Sequence, residues 1–366
     1  MDKYLLIFLS LILVFSLYSK LAQSQDELGM LISESVEDTE SAIKAYGGPF
    51  LKAIGTDLNT GYASSGEPLE WGDLNLKLVG TASFAPEDDL SFRPAEYGLD
   101  EQSSGIYTEE EILPTIFGDE TTASIQARAT SQNGEQIRTT TTIPLLTLGV
   151  RGAPMLMPQA DIGFFGGTQI MIRGLPPLKV PTYNQLRSLE TSYFGMGVLH
   201  DIKQYIPDFQ SSGFSWSVYL TRSTASLSLG GPFYTDDDVR EYANEDVQEP
   251  EEEKDYNNQK MNFDSKGFSF GTIISNKFKV VTLFGGLEYV STSTNLNLEG
   301  DYPYVNYSGQ IAHITDLLDI TEKTGRMGFN AGLKADVSFL NISLSASLVN
   351  GGYSTVGASV GFQLLD

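Results

Sequence analysis

The stretch RMGFNAGLKADVSFLNISLSASLVNGGYSTVGASVGFQLLD, Arg326 to Asp366, decides the fold. From Met327 its odd positions are Met327, Phe329, Ala331, Leu333, Ala335, Val337 and Phe339. The intervening ones are Gly328, Asn330, Gly332, Lys334, Asp336 and Ser338. After one tight turn, Ile342, Leu344, Ala346 and Leu348 oppose Ser343, Ser345 and Ser347. Asn350-Gly351-Gly352 supplies residues suited to positive φ, and then Val356, Ala358, Val360, Phe362 and Leu364 oppose Gly357, Ser359, Gly361 and Gln363. Side chains alternate faces along a strand, so three consecutive strands each present one apolar and one small or polar face. A polar face bearing Lys334 and Asp336 suits a lumen, and the apolar face then meets lipid. The pattern predicts an all-β transmembrane antiparallel up-and-down β-barrel.

The same alternation recurs upstream. Leu74, Leu76, Leu78, Ala82 and Phe84 oppose Asp73, Asn75, Lys77, Thr81 and Ser83. A hairpin is expected around Asn133-Gly134, joining Ala123–Thr130, with Arg128 on its polar face, to a strand carrying Arg138 beside Ile137 and Ile143. Ala160, Ile162 and Phe164 flank Asp161, and beyond Gly166-Gly167 Ile170 and Ile172 flank Gln169 and Arg173. Residues 144–157 and the proline-rich 174–189 read as loops. Phe194, Met196 and Val198 open the next strand. The set Phe214, Trp216, Val218, Leu220 slips phase to Ala225, Leu227, Leu229, which predicts a β-bulge at 222–224. A strand through Phe268, Phe270 and Ile274 turns at Ser275-Asn276-Lys277, and its successor sets Phe284 and Glu288 inward. A short helix is expected over 314–320.

Counting gives about 12 strands, or 14 if residues 86–119 hide a hairpin. Short turns alternate with long connections, the sorting expected of bacterial barrels with periplasmic turns and outer loops. This parity places the acidic loop, 231–266, outside the cell. Tyr62, Trp71, Tyr193, Trp216, Tyr289 and Tyr353 are the expected interfacial aromatics.

The N-terminus reads as an export signal. Lys3 precedes an apolar run from Tyr4 to Tyr18, and Ala22-Gln23-Ser24 fits small-x-small cleavage near Ser24. The run is shorter than the roughly 20 residues of a spanning helix. Residues 1–24 are thus a signal peptide, 25–70 a helical segment, and 71–366 the barrel. Within the segment Ser35–Leu58 is helical by its three- and four-residue apolar spacing, and Pro49 should break it in two. It either plugs the lumen or lies in the periplasm.

Composition narrows the chemistry. With 0 cysteines the chain has no disulfide, thiol nucleophile or lipid-anchoring cysteine. A net charge of -24 argues against nucleic acid. Much of it sits in Asp236–Asp255, where Asp236-Asp237-Asp238 lacks calcium-loop spacing, so a solvated loop is the reading. The 2 histidines, His200 and His313, stand far apart, and no metal, cofactor or enzymatic activity is expected. Thr355, Gly357, Val360 and Phe362 match the final-strand pattern read by barrel-insertion machinery, although Gln363–Asp366 extends past the aromatic. That machinery and outer-membrane lipid are the expected partners.

Ala45–Lys52, Asp57–Tyr62, His200–Pro207 and the closing strands resemble an uncharacterised family of outer-membrane proteins from Bacteroidota, with Tyr205 where a tryptophan is expected and the acidic loop as an insertion-like departure. The resemblance implies a barrel in the outer membrane of a Gram-negative bacterium and assigns no activity. The helical segment is also similar to that of fatty-acid-transporter barrels, whose N-terminal motif is missing here. The inward phase makes Asp73, Lys77, Arg128, Arg138, Asp161, Arg173, Phe284, Glu288, Lys334 and Asp336 the lumen candidates. Three functions remain: a channel or transporter for small solutes, a non-conducting structural or surface-display barrel, and a transporter of hydrophobic compounds.

Overall fold

A sheet edge left unpaired in lipid strands its backbone polar groups, and here the alternating segments close into a ring of ten antiparallel strands. The computed structural model describes residues 36–99, 106–119, 122–130, 136–145, 147–181, 188–233, 235–240, 255–305 and 310–364. The expected signal peptide, the Asn133-Gly134 turn and most of the acidic run lie outside them. The barrel strands are β1 (Leu74–Phe84), β2 (Gly152–Phe164), β3 (Thr168–Pro181), β4 (Ser188–Asp201), β5 (Phe214–Gly230), β6 (Lys260–Phe278), β7 (Val281–Glu299), β8 (Leu318–Val337), β9 (Leu340–Leu348) and β10 (Ser354–Gln363). Each pairs with the next, and β10 closes on β1 from Asn75↔Gln363 to Phe84↔Ser354.

Ten replaces the expected 12 or 14. The segments read as second and third strands, Ser124–Thr130 and Gln136–Pro144, pair with each other and with Ile106–Tyr107 in a separate three-stranded sheet. Arg128 and Arg138 go with it and are not in the barrel wall. An alternating pattern specifies a strand but not which sheet it joins. Here Ile106 and Ile125 find their partners in Ala42, Ala45, Phe92 and Leu113, a small core at one mouth of the barrel.

Other expectations shift as well. β5 pairs without a register break on both sides, so the bulge at 222–224 is absent. Ala225, Leu227 and Leu229 simply face inward: Ala225 packs with the Leu58 cluster, and Leu227 and Leu229 with Leu189 and Met261. Residues 314–320 form no helix: they end the strand Ile311–Thr315, bend at Asp316 with a φ of 56, and open β8 at Leu318. The proline-rich 174–181 belongs to β3, and β2 starts within the expected 144–157 loop. The turn at Gly166-Gly167 uses φ values of 71 and 66 that glycine adopts freely, whereas the turns after β6 and β8 place Lys279 and Ser338 at positive φ, later and earlier than the sequence suggested.

One end of the barrel carries these short turns, and the other carries the long connections. Around the outside runs an apolar belt that includes Phe194, Leu220, Leu287, Met327, Leu333, Leu348 and Val356, with Met327 74% exposed. A continuous exposed apolar surface of this kind is what lipid covers. Among the expected interfacial aromatics, Trp71, Trp216 and Tyr289 are at least partly exposed, but Tyr62, Tyr193 and Tyr353 are buried.

Among the described residues, one helix, α1 (Val36–Asn59), and the segment that follows it occupy the interior. Pro49 lies inside α1 and does not split it. The proline leaves the Ala45 carbonyl, four residues back, without its helical donor, and the next carbonyl, that of Tyr46, accepts a hydrogen bond from Ile116 N at 3.1 Å. The helix starts in the small core at the loop end and runs down the lumen. Gly55 passes so close to β7 that a Cβ there would sit 2.5 Å from Thr294 Oγ1.

Candidate functional site

Below α1, residues 60–72 descend to the turn end, where Trp71 packs on Phe164 and Phe165 at ring distances of 5.3 and 5.8 Å. An extended segment has spare backbone groups, and the wall supplies partners for them. Arg173 on β3 is the centre of this clamp. It is fully buried, and its guanidinium donates to the Thr60 carbonyl (2.8 Å), the Gly61 carbonyl (2.8 Å) and Gln159 Oε1 (2.9 Å) while lying 3.8 Å over the Tyr62 ring. Lys77 Nζ and Gln159 Nε2 both donate to the Tyr62 carbonyl at 3.1 Å. Lys77 also pairs with Asp161 at 2.9 Å, with both side chains almost wholly buried. Tyr193 and Ser223 hydroxyls donate to the Leu58 carbonyl, Ser217 Oγ to the Gly66 carbonyl, and Gly66 N to Ser275 Oγ. The Asp57 carboxylate accepts from Ser83 N and Oγ.

These contacts come from β1 to β6, six neighbouring strands. The opposite arc, β7 to β10, meets the segment across a cavity of about 20 Å³ bounded by Asn59, Tyr62, Phe284, Glu288, Asn330 and Ser345. That is room for about one water. Glu288 accepts from Tyr219 (2.9 Å) and Ser347 (2.5 Å). Two residues above its partner position, Arg326 is 9% exposed, and none of its guanidinium nitrogens has a hydrogen-bond partner among the described residues. The oxygens Asn59 Oδ1, Thr81 Oγ1 and Asn330 Oδ1 are likewise unpartnered there.

The sequence-derived candidates therefore divide. Lys77, Asp161 and Arg173 come together at the clamp. Phe284 and Glu288 line the opposite cavity. Lys334 pairs with Asp336 at 2.9 Å near the turn end, and Asp73 accepts from Gln363 there. Arg128 and Arg138 lie elsewhere. Arg326 was missed although it shares the inward phase of Gly328 and Asn330. Gln159 was missed inside a stretch read as loop-flanked, and Tyr62 and Tyr193 were assigned to the rim.

At the loop end, His313 Nε2 lies 3.0 Å from Asp236 Oδ1 and 2.8 Å from the Tyr256 hydroxyl, tying the acidic loop to the hairpin Asp301–Thr315. Burial, and then the Asp236 carboxylate, push the Tyr256 phenol above its ordinary value. His200 bonds Thr168 and Tyr205 near the turn end. Among the described residues no cluster of three or more metal-ligating acids and histidines occurs.

A family model described as a family of unknown function (DUF6588) matches residues 1–364. No curated protein matches the sequence. Solved structures that resemble the fold include the attachment invasion locus protein Ail of Yersinia pestis, at 9% identity and a TM-score of 0.26, covering 80% of this chain and 99% of that one. The outer membrane protease OmpT of Escherichia coli follows at 10% identity and a TM-score of 0.28, covering 82% and 100%. The toluene transporter TodX of Pseudomonas putida shares 8% identity at a TM-score of 0.25, covering 85% and 96%. At such scores these likenesses carry no argument about activity.

Proposed function

Since the chain belongs to the family of unknown function DUF6588 and folds as a closed barrel with an apolar belt, we propose that it sits in the outer membrane of a Gram-negative bacterium and passes small molecules, with α1 and residues 60–70 as its gate. One observation carries this reading: among the described residues, 57–66 of the plug take their wall hydrogen bonds from β1–β6 and none from β7–β10, where α1 above them packs Leu51 with Leu298 and Ile320 and sets Lys52 4.0 Å from Glu322. Each buried polar group without a partner costs about 1–3 kcal/mol. Arg326 and Asn330 place that cost on β8, and Asn59 on the part of the plug that faces it. An arc so supplied with polar groups suits a solvated path that opens when the plug shifts against it. The long connections and the acidic loop then face outward, and α1 enters from the outer mouth. Thr355, Gly357, Val360 and Phe362 on β10 would serve the insertion machinery. We read the protein as no enzyme, because each histidine is engaged in a hydrogen-bonded tie between loops or strands.

The absence of cysteine permits a direct test. Ser65 and Ser275 hydroxyls lie 3.4 Å apart, one on the plug and one on β6. Ser65→Cys/Ser275→Cys is expected to form a disulfide that pins the plug. In planar bilayers the oxidised protein should then stay closed, and reduction should restore brief conducting events. Silence in both redox states, with wild type equally silent, would favour a structural or display barrel.

A further inference from the structure

Between β2 and β3 the wall is joined at one end only. Their ladder runs from Phe164↔Thr168 to Gln159↔Arg173 and stops, although β2 continues to Gly152 and β3 to Pro181. Gly163 N donates to the Asp73 carbonyl and Ala85 N to the Arg151 carbonyl, so odd residues of β2 bond β1 and even ones aim their N–H at β3. Asp201 N donates to the Gly167 carbonyl, so on β3 too the even residues face β2. Continuing the register sets Pro158 against Gly174 and Leu156 against Pro176. Each pair lacks a donor, and Pro154 repeats the omission two positions on. Past Leu175, β3 also slips against β4.

This break lies at lipid depth. Pro154, Leu156 and Pro158 stand opposite Ala82, Gly80 and Leu78 of β1, inside the apolar belt that reaches Phe84. Unpaired backbone in hydrocarbon costs several kcal/mol per group, and the prolines remove the N–H groups that would incur it. Behind the break lies an apolar cluster from plug and wall: Ile54, Leu58, Met155, Met157, Tyr193 and Ala225. On the other side of β3 an open groove of about 460 Å³ runs across β3–β6, lined by Leu175, Pro176, Pro177 and the exposed Phe194, and reaches Asp264 and Lys266 on β6.

We propose that the β2–β3 seam is a lateral portal through which a small single-tailed amphiphile exchanges between the outer half of the bilayer and the apolar face of the plug. The apolar edges take the tail, and Asp264 and Lys266 stand where the head group would emerge. The portal rests on the gated-transporter reading for the fate of the molecule, but its opening is testable alone. Met155→Cys places a thiol on the inner side of the seam, and Val280→Cys gives an exposed reference in a turn. Protein in lipid vesicles is treated with N-pyrenylmaleimide or with a trimethylammonium thiosulfonate. Relative to Val280→Cys, the pyrenyl reagent should modify Met155→Cys at least ten-fold faster than the charged one. Adding Pro158→Val/Pro176→Val, which restores the two donors nearest the end of the ladder, or Leu175→Trp, which fills the opening, should each cut the pyrenyl rate at least ten-fold. Equal normalised rates for the two reagents, or a pyrenyl rate unmoved by whichever closing variant folds, overturns the portal. Labelling needs no net transport, so a failed conductance assay leaves the portal standing and a failed labelling leaves the gate standing.

Discussion

Arg173→Ala is expected to release residues 57–66 from the wall and to lower the unfolding free energy by on the order of 5 kcal/mol, the largest effect of any single substitution in the lumen. The change removes two charge-assisted bonds to the Thr60 and Gly61 carbonyls, a third to Gln159, and the guanidinium over Tyr62. The buried Thr60 carbonyl then lacks a donor, at about 1–3 kcal/mol, and the half-buried Gly61 carbonyl loses its donor at a smaller cost. Arg173→Lys should rescue little, since one ammonium cannot span three acceptors and a ring face. Urea unfolding in lipid vesicles reads the stability, and amide exchange across 57–66 reads the release. Unchanged exchange there would mean that the plug is held by α1 alone.

Lys77→Met is expected to cost about 3–5 kcal/mol by leaving Asp161 charged and unpaired in the interior. Asp161 would keep only the hydrogen bond from Gln159 at 2.6 Å. The double change Lys77→Met/Asp161→Leu should recover most of the loss, because an apolar pair of similar volume carries no desolvation penalty. If the double variant is no more stable than the single one, the pair holds the plug chiefly through Lys77 Nζ and the Tyr62 carbonyl. Thermal unfolding followed by the heat-dependent gel mobility of barrels distinguishes the two.

Much of the architecture was legible from period alone. The strands from Phe214 onward were read in the right faces over their lipid-facing parts, because burial in lipid demands an apolar residue at every second position. The signal failed where the surroundings were not lipid. Ala123–Thr130 alternates small apolar and polar residues just as a wall strand does, yet its Ala123 and Ile125 cluster with Ala42 and Ala45 of α1. Prolines at 154, 176 and 177 read as loop because proline cannot join a central ladder, and the structure places them, with Pro158, along a gap in one. For the site, alternation revealed which charges point inward but not which meet. Lys77 and Asp161 are 84 positions apart in sequence and adjacent only through the β1–β2 register, Lys77↔Gln159. The plug itself left a trace that went unread. Inward positions such as Ser217, Thr221, Ser223, Ser265, Ser269, Thr292 and Thr294 are small, and a wall lined so sparingly has space for a helix.

The route of the chain also dictates an order of assembly. Residue 59 ends the helix inside the bore, and after a short descent the same chain becomes β1, one of the two staves that meet last. A 24-residue helix, about 36 Å long, cannot be drawn sideways through a finished cylinder. Entry along the axis aside, the cylinder is expected to roll around its own N-terminal portion, with β1 and β10 meeting after that portion is in place. Pulse-proteolysis during insertion should find residues 36–70 protected no later than the β1–β10 junction.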